Sequence, residues 1–590
     1  NAPYVAEMVR RDMINRYGND AQTGGYQVVT TLDSRLQRAA NYALRNGLLE
    51  YTRRRGYFGA LDNIGLTEEE LAADFGDWPI TAQQTLQQYV PGGQSIAIVT
   101  ALDDVNNSAE IVFADGRRDT IPWSGLSWAK PFIDRQTAGA EPESVTDILQ
   151  PADVVIVMPT SMGTWALSQT PEVQGAVVSL DPGDGGINSL AGGFDFTTSK
   201  FNRAVQAYRQ PGSSFKPFIY SAALEHGSTA ATVILDTPVV ISSSELEAVW
   251  RPTEYSGRFY GPTRMREALV RSMNLVSVRL LLFETGIGNT VRHIEKFGFG
   301  DAALPRNGSL ALGAGSASPL DIAQGYGVFA NGGFGIKPYV VNAIYDSNGD
   351  VEYRANPLVV CEECLAEPDP RQPVELPEED TDPEEAALEF SPDAFLENRP
   401  DASTAPELFA RINAAPRVIS AQNAFLMQDM MRDVIRRGTG VRANALGRRD
   451  LSGKTGTSND FRDAWFAGFN GDLATVVWVG YDDDLSLGRR EEGSRTALPI
   501  WVTFMGLALE NVPEHQMDMP DGMLIQRIDR ETGCPVGAGH PNATFEYFRE
   551  GRVPSCEAAD DHGDIFNDAA GVDPVIDEGS QESEEEEALF

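Results

Sequence analysis

Residues 452–483 read SGKTGTSNDFRDAWFAGFNGDLATVVWVGYDD. Apolar residues alternate along both halves, and Asn470-Gly471 stands between them. That pattern predicts two antiparallel strands joined by an Asn-Gly turn. A second strand-turn-strand, QGAVVSLDPGDGGINSLAGG from Gln174, offers the same sheet more strands. Between the two the chain reads helical, in SSFKPFIYSAALEHG, MREALVRSMNLVSVRLLLFETG and DIAQGYGVFANGG, the last two stopping at glycines as helix C-termini often do. AQNAFLMQDMMRDVIRRG predicts another helix. The large domain therefore mixes an antiparallel sheet with a helix cluster, an α+β arrangement.

A chain of 590 residues is too long for one core, so two or three domains are expected. Residues 25–32 (GYQVVTTL) predict a strand, and the next segment, 33–53, a helix capped by Asp33 or Ser34. Residues 88–166 hold short alternating segments (SIAIVTAL, AEIVFADGRRDTI, DVVIVMP) with Asn-Asn and Asp-Gly turns, which predicts a small antiparallel barrel. The expected organisation is 1–54 strand and helix, 55–168 barrel, 169–557 large domain with an acidic disordered insertion at 365–405, and 558–590 an acidic disordered tail. The net charge of −39 is concentrated in that insertion and tail. So acidic a chain should repel nucleic acid and anionic membrane.

CEEC at Cys361–Cys364 has the spacing of a redox motif or half a zinc site. No βα unit comes after it, and Cys534 and Cys556 lie far away, so a structural disulfide or an inert pair is the better reading. Cys534–Cys556 is a second candidate bridge, and both would imply an oxidising compartment. The five histidines (226, 293, 515, 540, 562) are scattered and read as surface or core residues. There is no signal peptide and no apolar run long enough to span a bilayer. The chain opens NAPYVAEMVRRDM without an initiator Met, which suggests a piece of something longer, with any membrane anchor upstream of Asn1.

Lysine is scarce, at 130, 200, 216, 296, 337 and 454 only. One of the six sits in PGSSFKPF, three residues after Ser213. In a helix, residues three apart share a face, so Ser213 pairs with Lys216 and Ser214 does not. Pro211-Gly212 is an entry to a helix, which puts Ser213 in the first turn, where free N–H groups favour developing negative charge. A serine hydroxyl needs a neighbouring base, and a lysine whose pKa is lowered by burial serves as one. Ser127 and Lys130 have the same spacing but lie where a strand or loop is expected, which would put them on opposite faces.

Two further patches complete the pattern. Ser272-Met273-Asn274 places a hydroxyl and an amide at a turn or helix end. Lys454-Thr455-Gly456-Thr457 opens the alternating strands with a cation, two hydroxyls and a glycine, and a peptide could lie along such a strand by edge addition. Ser-x-x-Lys, Ser-x-Asn and Lys-Thr-Gly, in that order, form the signature of penicillin-recognising serine enzymes.

From these motifs, and from RQPGSSFKPFIYSAALEHG, SLALGAGSASPLDIAQGYGVFANGG, SGKTGTSNDFRDAWFAGF and FNRAVQA around them, the chain resembles a class A penicillin-binding protein of the 1A type found in Gram-negative bacteria. The resemblance implies an α+β multidomain chain: a serine transpeptidase fold, with helices on both faces of an antiparallel sheet, plus an OB-like β-barrel. It covers only the region C-terminal to the glycosyltransferase domain of that family, so glycan polymerisation belongs to the parent protein. It implies that Ser213 attacks the carbonyl between the two D-alanines of a peptidoglycan stem peptide and that Lys216 takes its proton. The N–H groups of Ser213 and Thr457 form the oxyanion hole. Ser272 relays a proton toward the leaving D-Ala, with Lys454 tuning its field. Asn274 holds the donor and orients Lys216, Thr455 and Thr457 bind the terminal carboxylate, and Gly456 lets the backbone approach. An amine then resolves the acyl-enzyme, or water does so in a carboxypeptidase; β-lactams acylate the same serine. No metal or cofactor is implied. The OB-like domain is implicated in docking an outer-membrane lipoprotein activator, and the parent would be periplasmic and anchored to the inner membrane. A β-lactamase would need a further deacylating base, and a β-lactam sensor a signalling domain; neither is found.

Overall fold

The computed structural model describes residues 2–240, 250–254, 256–300, 303–362 and 413–556. The expected acidic insertion, the acidic tail, Cys364 and His562 lie outside the described residues.

Residues 452–483, expected as a pair of strands, form three, which make up one side of a five-stranded antiparallel sheet. Its order is Ser452–Thr457, Asp463–Phe469, Ala474–Gly480, Gln174–Leu180, Ile187–Ala191. Alternation decides which core each residue enters. Trp465, Ala467, Phe469, Val476, Trp478 and Val178 face the helix cluster. Ala464, Phe466, Val477, Val479 and Val177 face the opposite core, shared with helices Ser34–Arg55 and Ala497–Ala508. The sheet thus carries helices on both faces, as the resemblance implied.

Two local expectations are corrected. The Asn-Gly turn is not a two-residue turn: Phe469 pairs with Ala474, leaving Asn470–Leu473 as a four-residue loop. The Asn470 side chain closes it by accepting from Leu473 N–H at 3.0 Å, and Asn470 N–H donates to the Leu473 carbonyl. The stretch read as helical over MREALVRSMNLVSV is two helices, Met265–Arg271 and Asn274–Arg279, broken at Ser272, whose φ is 61°.

Helix Ser34–Arg55 starts where Asp33 caps it, accepting from the Arg35 and Leu36 N–H groups. The predicted strand before it is Gln27–Thr30, paired with Val341–Tyr345. Residues 62–168 form an antiparallel sheet of six strands, with Asp153–Pro159 pairing Asp62–Asn63, Ser95–Asp103 and Trp165–Ser168. The segment around Ser127, expected as strand or loop, contains a four-residue helix, Trp123–Leu126, that ends at Ser127. Lys130 pairs with Glu141 at 2.7 Å. Ser127 therefore caps a helix end and Lys130 lies beyond it, so the two share no helix start.

A hairpin, Met523–Asp529 with Ala543–Arg549, closes the described chain. Its Glu546, 1% exposed, pairs with Arg266 at 2.5 Å and Arg264 at 3.2 Å beside the helix that leads into Ser272. Cys534 and Cys556 form a disulfide, and Cys361 is also disulfide-bonded. Among the described residues, no helix is long and apolar enough to cross a membrane.

Candidate active site

Pro211-Gly212 opens a 3-10 turn, Gly212–Phe215, that runs directly into helix Lys216–His226. In a 3-10 turn residues i and i+3 eclipse, so Ser213 and Lys216 share a side, as the spacing predicted. Gly212 has φ 54°, and a Cβ there would stand 2.3 Å from the Thr457 carbonyl oxygen. A glycine is required where the serine turn presses against the end of the edge strand. The two adjacent serines have different fates. Ser214 is fully buried, and its Oγ donates to the Pro211 carbonyl at 2.7 Å. Ser213 is half-buried and lines a cleft of ≈ 340 Å³. Ser272, Asn274, Thr455 and Thr457 line the same cleft.

Lys216, three residues on from Ser213, is fully buried. Its Nζ donates to the Ser272 carbonyl at 2.6 Å, the Met273 carbonyl at 3.1 Å and Asn274 Oδ1 at 2.8 Å, with Ser272 Oγ at 3.5 Å. Three acceptors match the three protons of an ammonium; the neutral amine keeps two and gains a lone pair. Burial pushes this lysine down to about 7, against the pull of the Glu254 carboxylate.

Lys454, also fully buried, approaches from the edge strand, its Nζ donating to Ser272 Oγ at 2.8 Å and to the Thr455 carbonyl at 3.0 Å. Burial, then the charge of Lys216, hold it well below the usual lysine range. Ser272 therefore presents its hydroxyl between two buried amines, a short path for a proton.

All seven predicted side-chain positions fall in or directly behind one cleft. Gly456 has a different part. A Cβ at Gly456 would meet the Pro211 carbonyl oxygen at 2.5 Å and the Ser214 side chain at 2.9 Å. The close approach it permits is that of the serine turn, which seats Ser213 against the strand.

Three residues escaped the sequence reading. Thr439, just past helix Ala421–Arg437, shares a 2.7 Å hydrogen bond between its Oγ1 and Thr455 Oγ1 in the cleft. Arg271 puts a cation on the rim, stacked 5.3 Å from the Tyr260 ring. Glu254, 7% exposed, accepts from Leu275 N–H at 2.6 Å behind the Ser272–Asn274 turn. None belongs to a local motif.

Residues 175–394 and 404–498 match the penicillin-binding protein transpeptidase domain, and residues 57–173 the penicillin-binding protein OB-like domain. The chain is 44% identical to penicillin-binding protein 1A of Pseudomonas aeruginosa over 94% of its own length and 65% of that protein's. It is 36% identical to the Escherichia coli protein of the same name, covering 96% of this chain and 69% of that one. The crystal structure of penicillin-binding protein 1A from Haemophilus influenzae superposes with a TM-score of 0.77 at 33% identity, covering 95% of this chain and 77% of that one. The chain spans about two thirds of the length of the curated relatives it matches. The chain belongs to the penicillin-binding protein 1A family.

Proposed function

We propose that this chain is a serine D,D-transpeptidase that cross-links peptidoglycan stem peptides. The observation that carries the reading is the convergence of Ser213, the buried Lys216 and the Lys454-bonded Ser272 on one cleft beside an edge strand. Neutral Lys216 takes the Ser213 hydroxyl proton as Oγ bonds to the penultimate D-Ala carbonyl carbon. The N–H groups of Ser213 and Thr457 meet the developing oxyanion. The C–N bond then breaks, and the terminal D-Ala leaves with a proton passed through Ser272 between the two lysines. Thr455 and Thr457 hold its carboxylate, and Asn274 holds the donor amide while orienting Lys216. An acceptor amine attacks the acyl-enzyme and restores Ser213. β-Lactams acylate Ser213 and leave slowly.

The whole protein is proposed to be a periplasmic, membrane-anchored enzyme that also polymerises glycan, with an outer-membrane lipoprotein activator docking on the OB-like domain. The Cys534–Cys556 disulfide supports an oxidising compartment.

The test is intact mass after incubation with a labelled penicillin, and then product analysis on a D-Ala-D-Ala donor with an amine acceptor. One adduct in wild type, absent in Ser213→Ala, together with a cross-linked product, supports the reading. Trimmed peptide alone would reassign the chain as a carboxypeptidase, and a hydrolysed drug as a β-lactamase. No adduct on folded wild type would overturn it.

A further inference from the structure

The turn that carries Ser272 and Asn274 is braced from behind by a two-residue segment, Thr253-Glu254. The Thr253 carbonyl accepts from Asn274 Nδ2 at 2.9 Å, which commits Asn274 Oδ1 to Lys216. The Glu254 carboxylate accepts from Leu275 N–H at 2.6 Å. Leu275 lies just past the break between two helices, so its N–H is one that the preceding helix does not satisfy. One dipeptide thus holds both the Asn274 side chain and the Leu275 N–H.

A buried carboxylate is expensive unless its charge has a use. Glu254 has no ion-pair partner within 4 Å among the described residues, so no arginine accounts for it. The cation it faces is Lys216, which it does not touch directly. Burial raises Glu254, while the Leu275 N–H and Lys216 favour its charged form, and Asp236 opposes it. The other charge facing Lys216 is Lys454, of opposite effect.

We propose that Glu254 is a positioning residue for acyl transfer, holding the Ser272–Asn274 turn against Lys216 and setting its carboxylate charge against that amine. This rests on the acyl-transfer reading above. The negative charge helps Lys216 keep its proton at low pH; the hydrogen bond keeps Lys216's acceptors in place. The two roles separate by substitution. Glu254→Gln retains an oxygen for Leu275 N–H and removes the charge. Glu254→Asp retains the charge and withdraws it from the hydrogen bond.

The experiment is the rate of penicillin acylation against pH for wild type and both variants, with thermal melting of each. With Glu254→Gln the midpoint of the rising limb should move toward acid by about one unit, because Lys216 loses the charge that favoured its cationic form. With Glu254→Asp the midpoint should stay near wild type while the rate falls about tenfold or more. An unmoved midpoint in folded Glu254→Gln, or a full wild-type rate in Glu254→Asp, would overturn the proposal. Should Glu254→Gln not fold, Glu254→Asp alone decides by rate against midpoint. Wild type that takes no label at any pH defeats the acyl-transfer reading itself, a result distinct from an unmoved midpoint in a labelled protein.

Discussion

Lys454 Nζ donates to Ser272 Oγ across 2.8 Å although the two residues stand 182 positions apart. The same hydroxyl lies 3.5 Å from Lys216 Nζ. Two amines withdrawn from water face one neutral oxygen, so charging either makes charging the other harder.

Of the two serines in PGSSFKPF, only Ser213 should be reactive. Ser213→Ala is expected to abolish the penicillin adduct. Ser214→Ala should retain it and cost about 1 kcal/mol of stability, the worth of its hydrogen bond to Pro211. Intact mass and a urea titration check both; an adduct on Ser213→Ala would mean that sharing a helix face with Lys216 does not select the nucleophile.

Acylation should rise as pH passes through about 7, where Lys216 gives up its proton. Below that midpoint the rate should fall about tenfold per pH unit, since only the neutral amine can accept a proton. Stability moves in the same direction. Between about 7 and the ordinary lysine value of 10.5 the unfolded chain binds the extra proton, so stability climbs across that window. Below about 7 both states are charged and the full penalty of burial is present. Acylation kinetics and denaturant midpoints over the same buffers test the pair; a rate independent of pH through 7 would remove Lys216 as the base.

Ser272 holds φ 61°, a left-handed conformation that costs a serine about 1–2 kcal/mol. Ser272→Gly and Ser272→Ala both delete the hydroxyl and should slow acylation alike, by about a hundredfold. Only Ser272→Gly relieves the backbone, so it should be about 1 kcal/mol more stable than Ser272→Ala. Equal stabilities would mean that the turn is not strained in solution.

Glu546→Gln should destabilise the fold by about 2–4 kcal/mol, because Arg264 and Arg266 stay buried with part of their counter-charge gone. Arg266 keeps Asp429 and Asp433, and Arg264 keeps Glu267, which limits the loss. A urea midpoint unchanged from wild type would show that the terminal hairpin is not clamped through this carboxylate.

Features whose logic is local are legible along the chain. Ser213 and Lys216 share a side because i and i+3 must in a tight helical turn, and period-two alternation carries the Asp463–Phe469 and Ala474–Gly480 hairpin, while the separate edge strand Ser452–Thr457 goes beyond the pair expected there. Features that depend on distant partners emerge only in the folded molecule. MREALVRSMNLVSV has the composition of a helix in which Ser272-Met273-Asn274 suits a turn or helix end, but what holds that turn is distant: Lys216 Nζ takes the Ser272 and Met273 carbonyls where the chain divides into two helices. The same is true of the Asn470 loop, closed by a side-chain amide, and of Gly456, whose missing Cβ admits the serine turn. Glu254 and Thr439 bear on the cleft only because the fold brings Leu275 and Thr455 to them, contacts 21 and 16 residues away in the chain. Short-range periodicity is set by backbone geometry and can be read along a line; hydrogen bonds that close across a cleft are set by packing, and no spacing in the sequence records them.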